Sequence, residues 1–523
     1  MKKYQKLLLP AIIFVGAVIR IFNITRESLW YDELFPVWAS RLPLNELLVE
    51  VPASRHPLLY YLIGHVWFSL GSSDLWIRMI SWTAGVATIW LVYLVGKELY
   101  NRRVGHWAAA LAAASSYLYW YSREASDYAL LIAVSTASLY FLVRSQNRGG
   151  WVNWAVYVAI TTAALFTHFY AVFLLLAQAV FFLIVYDWRN SRLKPWLICQ
   201  AGLLIIIVFW VLMNRGAGEW IDPNFPEIKQ TALGIFERSF FALTGSFMPL
   251  NHKEVSIPGG WATYRLAQVA LLMTFSALLI FSRNFRLSFI NRRTLGLVVL
   301  MMILIAGPVI SQMVREYFLS FRFYSLAIVP FILVLAVLIA SAPRKTSIVI
   351  GCVAVTGFLL TTYWTYENYY FDNWRGVTSV ISENQETGDK ILCFPITDCT
   401  MAVKHYLPDY GSPVGGMASV DKPGMIGFFP RGVAWSGYRT KKLYGSVALS
   451  GAELHDRLNY EVSDVNRVWV VGGDDSAGDI GRADEVYAFM EDGWVEKGQW
   501  DFPPLILRLY ERVHLSADDL PPI

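Results

Sequence analysis

The sequence predicts a polytopic α-helical membrane protein with a C-terminal α/β domain outside the membrane. Three observations lead there. The 523 residues are 55% hydrophobic and 16% charged, against about a quarter charged and about 45–50% apolar in a soluble domain. Apolar runs of about 20 residues, the length needed to cross a bilayer, recur over residues 1–366. Charge then changes sign: residues 1–366 hold 30 Lys+Arg against 16 Asp+Glu, net +14, and residues 367–523 hold 14 against 24, net −10. The same composition excludes disorder and collagen-like structure. Four cysteines are too few for a disulfide scaffold or a multi-zinc module.

Eleven spans are expected, at 7–24, 76–96, 104–121, 126–144, 151–167, 169–187, 195–213, 264–282, 294–313, 323–341 and 346–366. Cytoplasmic loops carry the excess of Lys and Arg, which tests this list. Lys2, Lys3 and Lys6 precede the first span; Lys97, Arg102 and Arg103 follow the second. Arg144 and Arg148 follow the fourth, Arg189, Arg192 and Lys194 the sixth, Arg283 to Arg293 the eighth, and Arg344 and Lys345 the tenth. All fall on one side, so the N-terminus is expected in the cytoplasm and the acidic C-terminal domain outside. Residues 57–70 are apolar but too short to span. They are expected to lie along the outer face as an interfacial helix within a first outer loop, 25–75, and a second outer loop covers 214–262. The N-terminal run lacks a small-x-small site and is read as a retained span.

The basic balance belongs to cytoplasmic loops and implies no nucleic acid. Residues 367–523 read as a soluble α/β domain, with strands at Lys390–Pro395, Arg467–Val471 and Leu505–Tyr510 and helices at Trp374–Glu383 and Ala483–Glu491.

Ionisable residues are scarce at mid-depth, where ion-coupled transporters need them. They gather instead at outer ends: Arg20, Asp32, Glu33, His56 and Arg78; Arg123, Glu124 and Asp127; His168; Arg315, Glu316 and Arg322. A carboxylate among Trp30 and Tyr31 is partly desolvated, which suits general-base work. Arg315 and Arg322 lie two helical turns apart if the stretch is helical. There they hold a lipid phosphate through bidentate hydrogen bonds or snorkel to the interface.

Six stretches in order resemble the GT-C glycosyltransferases that use polyprenyl-phosphate sugars, the group of the protein O-mannosyltransferases and the lipid A aminoarabinose transferase. Val18–Glu33, VIRIFNITRESLWYDE, is similar to the first-loop motif. His56–Gly85, HPLLYYLIGHVWFSLGSSDLWIRMISWTAG, resembles the His-Pro-Pro-Leu-Tyr-Tyr segment, with Leu58 in place of the second Pro. Tyr121–Leu130, YSREASDYAL, resembles the second-loop motif, with Ser126 where the family usually has Arg. Phe166–Gln178, Arg322–Pro330 and Asn373–Leu392 match three further segments.

The resemblance implies the GT-C fold and an inverting sugar transfer at the outer face. Asp32 takes the acceptor proton, with Glu33 as helper. Arg322 and Arg315 bind the donor phosphate, with His168 and Arg123 as neighbours; His56 touches the acceptor or braces the interfacial helix, and Glu124 and Asp127 hold sugar hydroxyls or pair with Arg123. Beside the resemblance, Arg78 is a further substrate-binding candidate, and Trp220 stacks on a sugar or, as an aromatic in an outer loop, anchors at the interface. The partners implied are a polyprenyl-phosphate sugar, a glycolipid, glycan or protein acceptor, and the bilayer. The compact form suggests a bacterial inner membrane. No cofactor is expected, since the histidines lack ligand spacing; the sequence leaves a divalent metal open. Asp474, Asp475 and Asp479 read as a solvated turn. Cys393 and Cys399 are a disulfide or two free thiols, and Cys199 and Cys352 are packing residues. The competing class is a lipid flippase or exporter with an outer sensor domain.

Overall fold

The computed structural model describes residues 2–53, 56–187, 189, 192–213, 243, 291–315, 321–368, 372–393, 396–408, 425–427, 455–456, 458–459, 462–463, 465–473, 483–502 and 505–513. The helical part runs α1 (Lys2–Ile21), α2 (Tyr31–Ser40), α3 (Leu44–Ala53), α4 (Leu59–Trp67), α5 (Asp74–Leu99), α6 (Arg102–Ala114), α7 (Ser116–Tyr121) and α8 (Asp127–Arg148). It continues through α9 (Trp151–Thr167), α10 (Ala171–Val185), α11 (Leu193–Met213), α12 (Arg292–Arg315), α13 (Ile328–Ser341) and α14 (Arg344–Asn368). Asp74–Leu99, Asp127–Arg148, Arg292–Ser311 and Arg344–Glu367 are long and apolar enough to cross a membrane, with shorter apolar helices at Trp151–Thr167, Ala171–Val185, Leu193–Phe209 and Ile328–Ser341. The expected span 264–282 and almost all of the loop 214–262 lie outside the described residues.

Lipid offers little hydrophobic drive between helices, so packing depends on small residues and polar ties. Helices α5 and α6 close where a side chain on Gly96 would meet the Gly105 backbone at 3.1 Å. The single span expected over 104–121 is instead broken. Ser115 is extended (φ −65°, ψ 122°) and its hydroxyl caps the Leu118 N–H. The carbonyls that the break frees must find donors. Arg20 donates to Ala112 O and Ala113 O at 2.8 Å each, and Thr362 to Ala114 O at 2.7 Å. Arg20, polar and fully buried, is therefore a brace.

At one end of the bundle the basic residues tie helices together. Arg148 pairs with Glu98 at 2.7 Å, Arg103 donates to Ala342 O at 3.0 Å, and Arg293 donates to Leu99 O. The expected outer loop holds three helices, α2 to α4, at the opposite end. The sequence reading placed only the third, because α2 and α3 are ten residues each and contain proline.

The C-terminal part comprises α15 (Trp374–Asn384), β1 (Lys390–Cys393), α16 (Ile396–Tyr406), β2 (Met425–Gly427), β3 (Arg467–Gly473), α17 (Ala483–Glu491), β4 (Trp494–Phe502) and β5 (Leu505–Arg512). Its sheet has the order β2-β1-β3-β5-β4, with β1 parallel to β2 and β3, and β5 antiparallel to β3 and β4. Side chains alternate across a strand, and here they divide between two cores. Ile391, Trp469, Val471, Leu507 and Leu509 face one, with Trp374, Val377 and Val403. Leu392, Val468, Val470 and Tyr510 face the other, with Val486 and Met490. The first core also takes in Leu29, Leu34, Val37 and Ile77, so the sheet face and the segment around α2 share one apolar interior. Cys393 and Cys399 form a disulfide between β1 and α16.

Candidate active site

The site starts at the extended stretch Ser28–Trp30, which turns into α2 at Trp30 (φ −103°, ψ 179°). Asp32 and Glu33 occupy the first turn, where the helix dipole favours carboxylates. Neighbouring helical residues point about 100° apart, and the two acids meet different partners.

Glu33 is completely buried. Arg78 Nε and Nη2 donate to its two oxygens at 2.8 and 2.6 Å, and the Ala125 N–H adds a third bond at 2.8 Å. Arg78 also donates to the carbonyls of Ile24, Glu27 and Ser28 at 2.7–3.1 Å. These contacts fasten the first loop to α5 and occupy both side chains, of which the sequence led us to expect proton transfer by Glu33 and substrate binding by Arg78.

Asp32 turns the other way and forms an ion pair with Arg322 at 2.6 Å, in the 3-10 turn Phe321–Tyr324 before α13. The side chains are 19% and 33% exposed, so a substrate can reach both. The Arg322 guanidinium lies 5.8 Å from the Tyr128 ring centre. Burial pulls its pKa down, but Asp32, Tyr128 and Glu124 together hold it well above the usual range.

His56 sits between the rings of Phe35 and Tyr61, at 5.3 and 5.6 Å. Burial pushes its pKa down to about 4, Asp32 raising it and Arg322 lowering it, so it is neutral near pH 7. His168 accepts the Tyr170 N–H on Nδ1 at 3.1 Å, with the Tyr128 ring 5.4 Å away. Burial pushes it down to about 3, helped by His56 and Arg322. A neutral imidazole brings no charge to a phosphate but keeps one N–H donor.

Glu124 is buried and accepts the Trp120 indole N–H at 2.8 Å. Burial, then the Asp32 charge, push it up to about 8 against the pull of Arg322. Asp127 opens α8 within electrostatic reach of Arg322 and Asp32.

Arg123, expected beside the donor phosphate, is bonded to the end of the first helix. It donates to the carbonyls of Arg20, Phe22 and Asn23 at 3.2, 2.6 and 2.7 Å, closing the end of α1. Arg315 is the last residue of α12, and its side chain lies outside the described residues, as do Glu316, Trp220 and the Asp474–Asp479 turn. Among the described residues no three His, Cys, Asp or Glu side chains are grouped to hold a metal.

The rings of Phe35, Tyr61 and Tyr128 belong to this site and were not assigned to it from the sequence, because an aromatic at an interface reads equally as a membrane anchor. A small apolar cavity lies below. Ser325, Leu326, Val329 and Pro330 line it with Ile132, Leu139, Leu174, Leu300 and Leu304, and it begins three residues past Arg322.

The Glu124 environment gives a stability prediction. Its folded pKa lies above the unfolded value of about 4.5, so the folded chain holds a proton that the unfolded chain releases as pH rises. Stability from this group is full below pH 4.5 and falls progressively towards pH 8. Glu124→Gln cannot titrate, so its melting temperature in detergent, relative to wild type, is expected to rise between pH 5 and 8. A constant difference over that range rejects the assignment.

Residues 55–213 match the dolichyl-phosphate-mannose-protein mannosyltransferase family. That segment holds His56, Arg78, Arg123, Glu124, Asp127 and His168, while Asp32 and Arg322 lie outside it. No curated protein matches the chain. The crystal structure of ArnT from Cupriavidus metallidurans in the apo state is similar over 97% of this chain and 98% of that one, at 12% identity and a TM-score of 0.51. The apo oligosaccharyltransferase of Archaeoglobus fulgidus is similar over 90% of this chain and 70% of that one, at 11% identity and a TM-score of 0.50. Along nearly its whole length the chain thus has the fold of ArnT, and within it residues 55–213 match the mannosyltransferase family.

Proposed function

We propose that this protein is an inverting glycosyltransferase that moves a sugar from a polyprenyl-phosphate donor to a hydroxyl of a glycolipid, glycan or protein. The observation that carries this reading is the reachable Asp32–Arg322 pair, a base candidate and a phosphate ligand in one contact.

The donor phosphate takes Arg322 from Asp32, since a guanidinium binds phosphate through two parallel hydrogen bonds. Asp32 is then free to accept the hydrogen of the acceptor hydroxyl. The hydroxyl oxygen attacks the anomeric carbon opposite the phosphate, the carbon–oxygen bond to phosphate breaks, and its electron pair leaves on the lipid phosphate. The proton ends on Asp32, and the configuration inverts. Arg322, with Arg315 as the expected second cation, stabilises the charge growing on the leaving group, the largest single contribution in many such sites. Neutral His56, between Phe35 and Tyr61, presents ring faces and a hydrogen-bonding edge to the acceptor, while Glu124 and Asp127 are placed to bind sugar hydroxyls. We place the site on the outer face of a bacterial inner membrane, with the N-terminus in the cytoplasm. The ties of Arg103, Arg148 and Arg293 at the far end support that orientation.

The test is release of undecaprenyl phosphate by purified protein from undecaprenyl-phosphate mannose, glucose, galactose and arabinose, with membrane extract as acceptor. Release from one donor is expected, and it is expected to continue in EDTA. Release lost in EDTA and restored by Mg2+ or Mn2+ would assign part of the charge stabilisation to a metal. No release from any donor, with the lipids still bound, would favour lipid transport.

A further inference from the structure

We infer that the C-terminal part is a component of the catalytic apparatus, with Tyr406 as a positioning residue that holds the Asp32-bearing segment in register. The inference rests on the proposed role of Asp32.

Residues 28 and 29 immediately precede the turn into α2, and two hydroxyls grip them. The Tyr406 hydroxyl accepts the Leu29 N–H at 2.7 Å and donates to Asp74 Oδ2 at 2.9 Å. Asp74 is the first residue of α5, and His405 Nε2 reaches its other oxygen at 3.4 Å. Arg375 approaches Asp74 at 3.4 Å and donates to the carbonyls of Thr25 and Arg26. On the other side, the Ser28 hydroxyl donates to Asp372 O at 2.5 Å and accepts the Trp374 N–H at 3.0 Å.

Each hydroxyl uses both its donor and acceptor capacity, which a methyl or ring hydrogen cannot copy. Leu29 is fully buried in the core it shares with Trp374, Val377 and Cys399. The backbone is thus fixed by two side chains and one apolar anchor three residues before Asp32. The Tyr406 hydroxyl bonds Leu29 and Asp74, neither of which takes part in the transfer, and its effect passes through the Leu29 N–H into the start of α2. A general base must sit within about 3 Å of the proton it takes, and displacements near 1 Å cost on the order of 100-fold in rate.

The test uses the full-length protein and whichever of the four undecaprenyl-phosphate sugars wild type turns over. Tyr406→Phe keeps the ring and removes both hydrogen bonds. Its kcat is expected to fall by on the order of 10- to 100-fold, with KM for donor and acceptor and affinity for undecaprenyl phosphate little changed and the melting temperature lowered only modestly by the bared Leu29 N–H. Ser28→Ala is expected to show the same split from the other side and carries the test if Tyr406→Phe fails to accumulate. An unchanged kcat overturns the inference. So does a fall in kcat matched by losses of lipid affinity and melting temperature, which a merely structural contact would give. If Asp32→Asn abolishes transfer while Tyr406→Phe does not slow it, positioning fails and the functional reading stands. If wild type releases lipid phosphate from none of the donors, both fail.

Discussion

Asp32→Asn is expected to lower sugar transfer by about 10²–10⁴-fold, the range a positioned general base contributes. The amide matches the carboxylate in shape but cannot take a proton. The lost ion pair with Arg322 is partly exposed, so the stability cost is small, about 1 kcal/mol or less. Arg322 stays in place and affinity for undecaprenyl phosphate is retained. Turnover near the wild-type rate, measured as released undecaprenyl phosphate, would move the base elsewhere. Arg322→Met separates the roles in the same assay, since it is expected to weaken lipid-phosphate binding as well as turnover.

Glu33→Gln is expected to act on stability, at about 3–5 kcal/mol, the cost of breaking a buried pair by removing one charge. Arg78 would remain in the interior without the carboxylate it hydrogen-bonds, with Asp74 as its other nearby counter-charge. Its bonds to Ile24, Glu27 and Ser28 remain, but each carbonyl is neutral and none balances the cation. The expected result is a marked drop in detergent melting temperature or failure to accumulate. Normal stability with abolished turnover would overturn this account and return Glu33 to the chemistry. Asp32 and Glu33 are adjacent and chemically alike, yet one substitution is expected to silence the protein and the other to unfold it.

That divergence shows where sequence reading stops. The stretch Ser28–Glu33 located the site, and Arg322, nearly 300 residues away, was expected to face the same substrate. Which carboxylate meets which arginine depends on helix phase, and phase is set by where α2 begins. Its start at Trp30 has no capping side chain to mark it. Arg123 shows the same limit. The family resemblance suggested a phosphate ligand, while three carbonyls at the end of α1 take its donors.

Long apolar helices were legible because about 20 residues of hydrocarbon thickness leave a plain imprint on composition. The break at Ser115 was not, because its compensating donors come from Arg20 and Thr362, distant in the chain. In the sheet, β3 and β5 alternate cleanly across two cores. Strand β4 lies at the edge, with a register shift between Glu496 and Gly498 and charges facing outward, features that blunt an edge and also hide a strand from pattern reading.

The grip on residues 28 and 29 bears on the order in which the molecule is made. Ser28 meets Asp372 and Trp374 across sequence separations of 344 and 346, and Leu29 meets Tyr406 across 377. The first loop emerges early in synthesis, and its partners come hundreds of residues later. At about 5–20 residues per second, tens of seconds separate the two events. Throughout that interval Asp32 has no completed scaffold. On the proposed reading the site therefore comes together as one of the last steps of biogenesis, and an unfinished chain in the membrane carries Asp32 without the contacts that set it.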